Sequence, residues 1–265
     1  MSVGRRFIYD IITAGTHIPL VTIQKDMNVA DLMGPRRAAG PKPSWCSVFT
    51  KAYAMVVARR PEMRRACLTF PWIRMFEYEA ATGHVTTEVK IDGSDALAFI
   101  PIESPELCPL LEIDRQLELS RKDPRRLRPM AHGLIAARFP RPIRRLAYWF
   151  VLNFSGRLRS VYFGTFGVTT VGNWGVESVR PIAPAISILH YGAIEADGKV
   201  SIRMTYDHRV LDGIGPSRAL NEMEAFLHTE ILAELIEMND FSKEAAEENG
   251  TILQRSKTAL AVPTS

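Results

Sequence analysis

Hydrophobic and polar positions alternate along residues 200–206, where Val, Ile, Met and Tyr are separated by Ser, Arg and Thr. This period of two is typical of a strand with one buried face. The alternation breaks at His208. Asp212 and Gly213 end the turn, and an amphipathic helical pattern then covers about residues 216–238. A histidine at the end of a strand, with an acidic residue four positions on and a helix behind it, is an arrangement that places a base in a site.

The first sixty residues predict a strand and a helix separated by a loop. The apolar stretch at 18–29 (IPLVTIQKDMNV) predicts the strand, and residues 30–33 form at most one helical turn. Glycine and proline are dense over residues 34–43, which predicts a loop. Ser44 is a good N-cap for the following helix, and Pro61 stops that helix.

The pattern becomes extended further along. Three successive strands are predicted over residues 71–102, with turns at Gly83 and at the Asp-Gly pair 92–93. A helix is predicted to start at Ser104 or Glu106. The first half of the chain therefore contains strand, helix, hairpin and helix in that order.

The second half contains two further strands before the alternating one. Residues 165–175 (TFGVTTVGNWG) predict a strand that runs into a glycine-rich turn, without the spacing of a dinucleotide-binding loop. Thr169 and Thr170 point to opposite faces of this strand, so that one can reach a site while the other packs. The apolar stretch 185–194 predicts a central strand, and the Asp-Gly pair at 197–198 predicts a hairpin.

Length and composition favour a globular protein. The chain has 265 residues, of which 46% are hydrophobic, and we predict a single domain over 1–240 with a polar, mobile C-terminal tail over 241–265. There is no apolar stretch of 18 residues and no signal-peptide pattern. Cys46, Cys67 and Cys108 are widely spaced in apolar contexts, which favours a reducing, cytoplasmic location and offers no metal site.

Residues 121–162 differ from the rest of the chain in charge. Between Arg121 and Arg159 there are eleven Lys or Arg residues and one acidic residue, with aromatic residues among them. One interpretation is a pair of short helices with solvated arginines and aromatic side chains in the core. The other is a basic amphipathic surface that receives the phosphates of a nucleotide-containing cofactor or lies against an anionic membrane. The net charge of +4 is modest and no nucleic-acid motif is present, so no nucleic-acid partner is predicted.

His208 differs from the other five histidines in its surroundings. A general base needs a fixed tautomer and a pKa near neutrality. Asp212 can fix the local turn through charge-assisted hydrogen bonds, and Gly213 allows a backbone conformation that is closed to other residues. The other histidines lack such neighbours in the sequence and are predicted to be structural.

The stretch YDHRVLDGIGPSRALNEMEAFL resembles the C-terminal motif of the catalytic domain of the 2-oxoacid dehydrogenase acyltransferases, the relatives of chloramphenicol acetyltransferase. GTFGVTTVGNWG followed by RPIAPAISILHYGAI is similar to a second stretch of that family. SWCSVFTKAYAMVVARRPEM resembles its early helix, ALAFIPIESPELCPLLEIDRQL its strand-then-helix, and RRFIYDIITAGTHIPLVTIQKDMNVADL its opening. The resemblance covers about residues 4–240 and is poorest over 121–162.

The resemblance implies an α/β two-layer sandwich, in which a mixed β-sheet is flanked by helices, and a CoA-dependent acyltransferase. His208 would take a proton from the hydroxyl, amine or thiol of the acceptor, which then attacks an acyl thioester. The hydroxyl of Thr169 would stabilise the tetrahedral oxyanion, with Thr170 as the second choice. Coenzyme A would be a substrate, without a metal.

The family resemblance also implies the supporting residues and the assembly. Asp212 would have a structural role and would pair with Arg5 or, as second choice, with Arg6. Gly213 would also support the structure of the site. His208 and Thr169 would come from neighbouring chains of a homotrimer, which can associate further into a cage.

The chain departs from the family in two respects. It has no room for a lipoyl domain, so no covalently bound lipoyl group is expected. The basic and aromatic segment precedes the Thr169 strand, where it would reshape the acceptor site. We therefore expect a small-molecule or lipid acceptor and a peripheral membrane contact. The alternatives are a non-catalytic scaffold of the same fold and a dehydrogenase-complex core that is served by a separate lipoyl carrier.

Overall fold

The computed structural model describes residues 1–91, 93–170 and 178–241. Its eight strands are β1 (Leu20–Asn28), β2 (Arg65–Leu68), β3 (Arg74–Glu77), β4 (Thr82–Ile91), β5 (Ser94–Glu103), β6 (Phe166–Thr169), β7 (Ser187–Tyr191) and β8 (Lys199–Asp207). Six of them form one sheet in the order β1-β8-β7-β6-β4-β5. The β4–β6 and β6–β7 pairs are parallel and the other pairs are antiparallel. Strands β2 and β3 form a separate antiparallel ribbon.

Eight α-helices accompany the strands in the described residues: α1 (Val3–Gly15), α2 (Ala30–Ala38), α3 (Trp45–Arg59), α4 (Leu110–Lys122), α5 (Arg128–Ala136), α6 (Arg141–Asn153), α7 (Gly156–Phe163) and α8 (Ile214–Phe226). A π-helical turn, Leu227–Ile231, follows α8, and helical residues continue over 232–241. The mixed sheet with its flanking helices confirms the predicted fold class.

Two apolar clusters hold the helices on the sheet. The larger one joins α3, α4 and α8 to the strands, and its aromatic members Phe49, Tyr53 and Phe166 are fully buried. The hydroxyl of Tyr53 donates a hydrogen bond of 2.8 Å to the Ser187 hydroxyl, which satisfies both groups inside this core. The smaller cluster joins α1, α5, α6 and α7 to β4 and β5. The segment that the sequence singled out by its charge is therefore packed against the sheet.

Local signals in the sequence explain how several elements begin and end. The Ser44 hydroxyl accepts a hydrogen bond of 3.0 Å from the backbone N–H of Ser47 and caps α3, as predicted. Helix α3 ends before Pro61. The turn before β8 contains Gly198 with a φ of +87°, as expected for the predicted Asp-Gly hairpin.

Other local predictions were wrong. Helix α2 continues to Ala38 through Pro35, because Leu32 is fully buried and Arg36 stacks over Trp45 at 4.3 Å. Gly83 is not a turn residue but lies inside β4, where a Cβ atom would come within 2.7 Å of the Phe166 ring.

The remaining predictions concern segment boundaries. The strand expected over 71–80 is reduced to β3, which pairs with β2 outside the main sheet. The basic segment contains three helices, α5 to α7, instead of a pair. The predicted mobile tail lies outside the described residues except for Phe241, and the extent of the domain stays a prediction.

Candidate active site

The sheet places Thr169 and His208 at opposite ends. Thr169 is the last residue of β6 and is level with His190 of β7, which is level with Arg203 of β8. His208 follows Asp207, the last residue of β8, five positions beyond Arg203. At about 3.4 Å per residue and about 4.8 Å between strands, the two residues are about 20 Å apart. A single chain therefore does not bring Thr169 and His208 into one site.

The His208 ring is oriented by the backbone of its own turn. Its Nδ1 lies 2.9 Å from the carbonyl oxygen of Leu211, and its backbone N–H donates to the carbonyl of Pro19 at 2.9 Å. A carbonyl oxygen can only accept, so Nδ1 carries the hydrogen in this contact. The neutral ring then has its lone pair on Nε2, which is the atom that can accept a proton. The side chain is about half exposed (48%), so a substrate can reach it.

Asp212 lies beside this ring but makes a weaker contact than predicted. Its Oδ1 is 4.0 Å from Nδ1 of His208, and its side chain is 95% exposed. Within the described part of the chain, no ion pair joins Asp212 to Arg5 or Arg6. The Arg5 side chain is exposed, and Nε of Arg6 donates to the carbonyl of Met1 at 3.2 Å. The arginine pairing implied by the family resemblance is thus not formed within one described chain.

The conformational argument for Gly213 was wrong. Its φ is −54°, a right-handed value that any residue adopts, and it immediately precedes α8. A Cβ atom at this position would lie 3.8 Å from the Tyr206 hydroxyl, which is an ordinary contact. Neither the backbone nor the space around it requires glycine here.

The turn is held by a buried carboxylate that sequence reasoning missed. Asp207 is fully buried and accepts two hydrogen bonds from the Arg209 guanidinium, at 2.9 and 2.7 Å, and one from its backbone N–H at 3.0 Å. The hydrogen bond to Asp207 raises the pKa of Arg209. The signal was an aspartate and an arginine on either side of His208, because a bidentate pair across two residues fixes the backbone between them.

Thr169 and Thr170 have different surroundings, as the alternation predicts. The Thr170 hydroxyl donates to the carbonyl of Tyr191 at 3.0 Å. The Thr169 side chain lines a cavity on the sheet face opposite the larger core. This placement favours Thr169 over Thr170 as the residue that can meet a substrate. The glycine-rich turn expected at the end of the strand lies mainly in residues 171–177, outside the described residues.

The cavity beside Thr169 has a volume of about 370 Å³. Its floor is formed by side chains that share one face of four strands, and its roof by α1, α5, α6, α7 and residues 181–185. None of its described lining residues is an Asp, Glu, Lys or Arg. The floor residues are His84, Thr86, Leu97, Phe99, Gly167, Thr169 and Ile188.

His84 lies in the floor, and the sequence did not single it out. Its ring is 4% exposed, and burial lowers its pKa to about 4, so it is neutral near pH 7. Its buried Nε2 has no hydrogen-bond partner among the described residues. The register pairs His84 with Gly167, two residues before Thr169 on the same face of the sheet.

A second cavity, of about 640 Å³, has charged side chains in its lining and reaches Arg209, in the turn that carries His208. Three arginines, Arg145, Arg159 and Arg209, and one carboxylate, Asp10, are among its lining residues. Arg159 is 2% exposed and donates to the carbonyls of Cys67 and Pro184 at 3.1 and 3.3 Å, and burial lowers its pKa. Because Arg209 is already paired with Asp207, the positive charge that this lining offers to an anion comes mainly from Arg145 and Arg159.

Two further features bear on the chemistry. Across residues 1–91, 93–170 and 178–241, no cluster of three or more His, Cys, Asp or Glu side chains is arranged to hold a metal ion. In the same residues, no helix combines the length and the apolar composition that crossing a membrane requires.

Comparisons by sequence identify no relative: no family model matches the chain, and no curated protein matches it either. Comparison by structure finds chains of similar fold. The dihydrolipoamide acetyltransferase of Azotobacter vinelandii matches with a TM-score of 0.62 and 16% identity, over 87% of this chain and 90% of that one. That structure was determined to investigate a serine, a histidine and an asparagine in its catalytic mechanism.

Cores of multienzyme complexes are also similar. A truncated catalytic core of the 2-oxoacid dehydrogenase complex of Thermoplasma acidophilum has a TM-score of 0.63 at 18% identity, over 86% of this chain and 96% of that one. The cubic core of a pyruvate dehydrogenase complex has a TM-score of 0.57 at 17% identity, over 86% and 88%. At this level of identity the likeness concerns the fold. The chain therefore has the fold of the 2-oxoacid dehydrogenase acyltransferase catalytic cores, as its sequence motifs predicted.

Proposed function

We propose that the protein is an acyltransferase that moves an acyl group from a coenzyme A thioester to a hydroxyl, amine or thiol acceptor. The observation that carries the proposal is the orientation of the His208 ring. Its Nδ1–H is engaged by the Leu211 carbonyl at 2.9 Å, which leaves the lone pair of Nε2 for the acceptor proton. The fold shared with acetyltransferase cores supports this chemistry over other base-catalysed reactions.

In the proposed reaction, Nε2 of His208 takes the proton of the acceptor as the acceptor attacks the thioester carbonyl. The Thr169 hydroxyl donates a hydrogen bond to the oxyanion that forms on that carbonyl. Collapse of the intermediate breaks the carbon–sulfur bond, and the His208 imidazolium returns the proton to the departing thiolate of coenzyme A. The products are the acylated acceptor and free coenzyme A.

We further propose that the site lies between two chains of a homotrimer. The register separates the two residues by about 20 Å within a chain, and a rotation-symmetric assembly can set His208 of one chain against Thr169 of the next.

The arginine-lined cavity near His208 is the part of the surface that best suits coenzyme A. The phosphates of coenzyme A are anionic, and Arg145 and Arg159 line the cavity in addition to Arg209, which is paired with Asp207. Arg209 immediately follows His208 in the chain, so the cavity and the base belong to the same end of the sheet.

The test is a panel of acyl-coenzyme A thioesters and acceptors with detection of the released thiol. We expect His208→Ala to lower kcat by at least about 100-fold and Thr169→Ala by about 100- to 1,000-fold. Thr169→Ser keeps a hydroxyl and is the matched control, with activity near that of the unmodified protein. A His208→Ala protein with unchanged turnover removes the mechanism.

Mixing two inactive variants tests the shared site. If each site takes one residue from each of two chains, His208→Ala and Thr169→Ala chains refolded together regain activity at about one site in four. Activity that stays absent in verified mixed assemblies contradicts a site between chains. Acylation of a free lipoyl domain would identify a dehydrogenase-complex core, and a large symmetric particle without turnover would identify a scaffold.

A peripheral membrane contact is a second property that a specific observation favours. Apolar side chains on the outer side of α6 are exposed, among them Leu146 (63%) and Trp149 (44%), and Phe70, whose ring lies 5.4 Å from that of Trp149, is 42% exposed. The core placement of the aromatic side chains was the first interpretation of this segment, and these exposures favour the second. Arg144 does not belong to the surface, because it is buried and paired with Asp10 at 3.2 Å.

The membrane proposal is tested with anionic phospholipid vesicles. The variant Leu146→Asp/Trp149→Asp should lose sedimentation with the vesicles, whereas Leu107→Asp, an exposed leucine (79%) outside the segment, should not. Equal sedimentation of both variants would refute the contact.

A further inference from the structure

The cavity beside Thr169 has the composition of a site for an apolar chain. The described part of its lining contains no formally charged side chain, and most of its residues are aliphatic or aromatic. The polar groups in its roof include His132 and Tyr162, which are hydrogen-bonded to each other at 2.8 Å between Nδ1 and the hydroxyl. A charged or strongly hydrated ligand would find no compensating partner in such a lining.

The cavity is also placed to receive a substrate at one defined end. Thr169 is the last residue of β6, so its side chain lies where the floor reaches the end of that strand. Gly167, two residues earlier, leaves the floor open beneath the roof helices, because a Cβ atom there would meet nothing closer than Ile188 at 3.5 Å. A bound apolar chain whose reacting end lies at Thr169 can therefore extend inward over Gly167.

The inner part of the floor contains an unsatisfied polar atom. The His84 side chain is buried, with 4% of its surface exposed, and its Nε2 has no hydrogen-bond partner in the described residues. Unpaired polar atoms are rare in folded interiors unless a ligand or a water completes them. A water molecule can satisfy this atom and an alkyl chain cannot, so the evidence for an apolar occupant is the uncharged lining and not His84.

We infer that this cavity binds the unbranched alkyl chain of a fatty substrate, with the reacting end of the substrate at Thr169. The inference rests on the proposed function for the role of Thr169, and it adds the class of substrate. With about 30 Å³ for a group the size of a water molecule, a cavity of 370 Å³ holds on the order of ten carbon atoms. The alkyl chain can belong to the acyl donor or to the acceptor, since both are bonded to the same tetrahedral carbon during transfer.

Binding is measured directly, without turnover, by calorimetric titration of the unmodified protein. The probes are acyl-coenzyme A thioesters of two to sixteen carbons and, in a separate arm, linear alcohols of the same lengths. We expect affinity to rise about fourfold for each added methylene group until the cavity is full. Length dependence in the thioester arm alone assigns the chain to the donor, and in the alcohol arm alone to the acceptor.

Filling the cavity is the structural control. Gly167→Val adds a side chain above the floor and should lower the affinity for a ten-carbon chain at least tenfold, while the two-carbon thioester binds as before. Gly34→Val, where a Cβ atom meets nothing within 4 Å, is the matched substitution outside the cavity and should leave the chain-length profile unchanged. A circular dichroism melt confirms that both variants are folded. If Gly167→Val does not fold, Ala136→Phe in the cavity roof replaces it.

The outcomes separate the two proposals. Chain-length-dependent binding by an unmodified protein that turns over none of the thioester and acceptor pairs supports the cavity and refutes the acyltransferase. Turnover of short thioesters with no dependence of affinity on chain length, or a profile unchanged by a folded Gly167→Val or Ala136→Phe variant, overturns the alkyl-chain site and leaves the acyltransferase in place.

Discussion

The buried His84 ring should make the stability of the protein fall steeply in weak acid. The unfolded chain binds a proton on His84 near pH 6.5, whereas burial lowers the pKa of this ring in the folded protein to about 4. The unfolded state therefore binds more protons between these values, and stability rises with pH across that window. The contribution is complete above pH 6.5 and is lost as the pH falls toward 4.

The magnitude follows from the same two values. The interval between 6.5 and about 4 corresponds to about 3 kcal/mol of unfolding free energy, at about 1.36 kcal/mol per pH unit. His84→Leu removes the titrating group from an apolar cavity floor, so the variant should lose about 3 kcal/mol less than the unmodified protein over this range.

The measurement is urea unfolding followed by tryptophan fluorescence at several pH values from about 7 to about 4. His17→Gln, which removes an exposed histidine, is the control and should keep the slope of the unmodified protein. If His84→Leu and the unmodified protein lose the same free energy on acidification, the reasoning about the buried ring is refuted.

Two further predictions concern the docking of the roof helices. Arg144→Met leaves the buried Asp10 carboxylate without its partner at 3.2 Å and should lower the unfolding free energy by about 3–5 kcal/mol. The double variant Asp10→Leu/Arg144→Met should recover most of this free energy. If urea unfolding shows that the double variant is no more stable than the single one, the prediction is wrong. Gly133→Ala places a Cβ atom 2.1 Å from the Phe7 ring where α5 meets α1, and it should lower the unfolding free energy by about 1–3 kcal/mol, as measured by thermal unfolding. An unchanged unfolding midpoint would show that the contact between α5 and α1 adjusts without cost.

The elements that the sequence predicted well are those specified by neighbouring residues. The alternation over residues 200–206 corresponds to β8, and the polar break after it to the turn that carries His208. The Ser44 cap and the Pro61 stop delimit α3, because both act on the backbone within one turn. The motifs around His208 and Thr169 were sufficient to anticipate the shared fold.

The features that the sequence did not predict depend on distant residues. Pro35 did not stop α2, because burial of Leu32 and stacking of Arg36 outweigh the local preference. The exposure of Trp149 could not be read from its neighbours, since a helix with apolar residues on several sides does not show which side the sheet covers. His84 and Thr169 share a cavity only because β4 and β6 pair across more than eighty residues.

The floor and the roof of the apolar cavity come largely from different parts of the chain. The strands of the floor belong to the sheet that carries both proposed reacting residues, while three of the four roof helices come from one uninterrupted stretch, residues 128–163. Substitutions in that stretch that keep the residues packed on β4 and β5 would change the shape of the cavity without changing the strand pairing. The shape of the cavity is therefore set largely by one continuous segment that is separate in sequence from the strands of its floor.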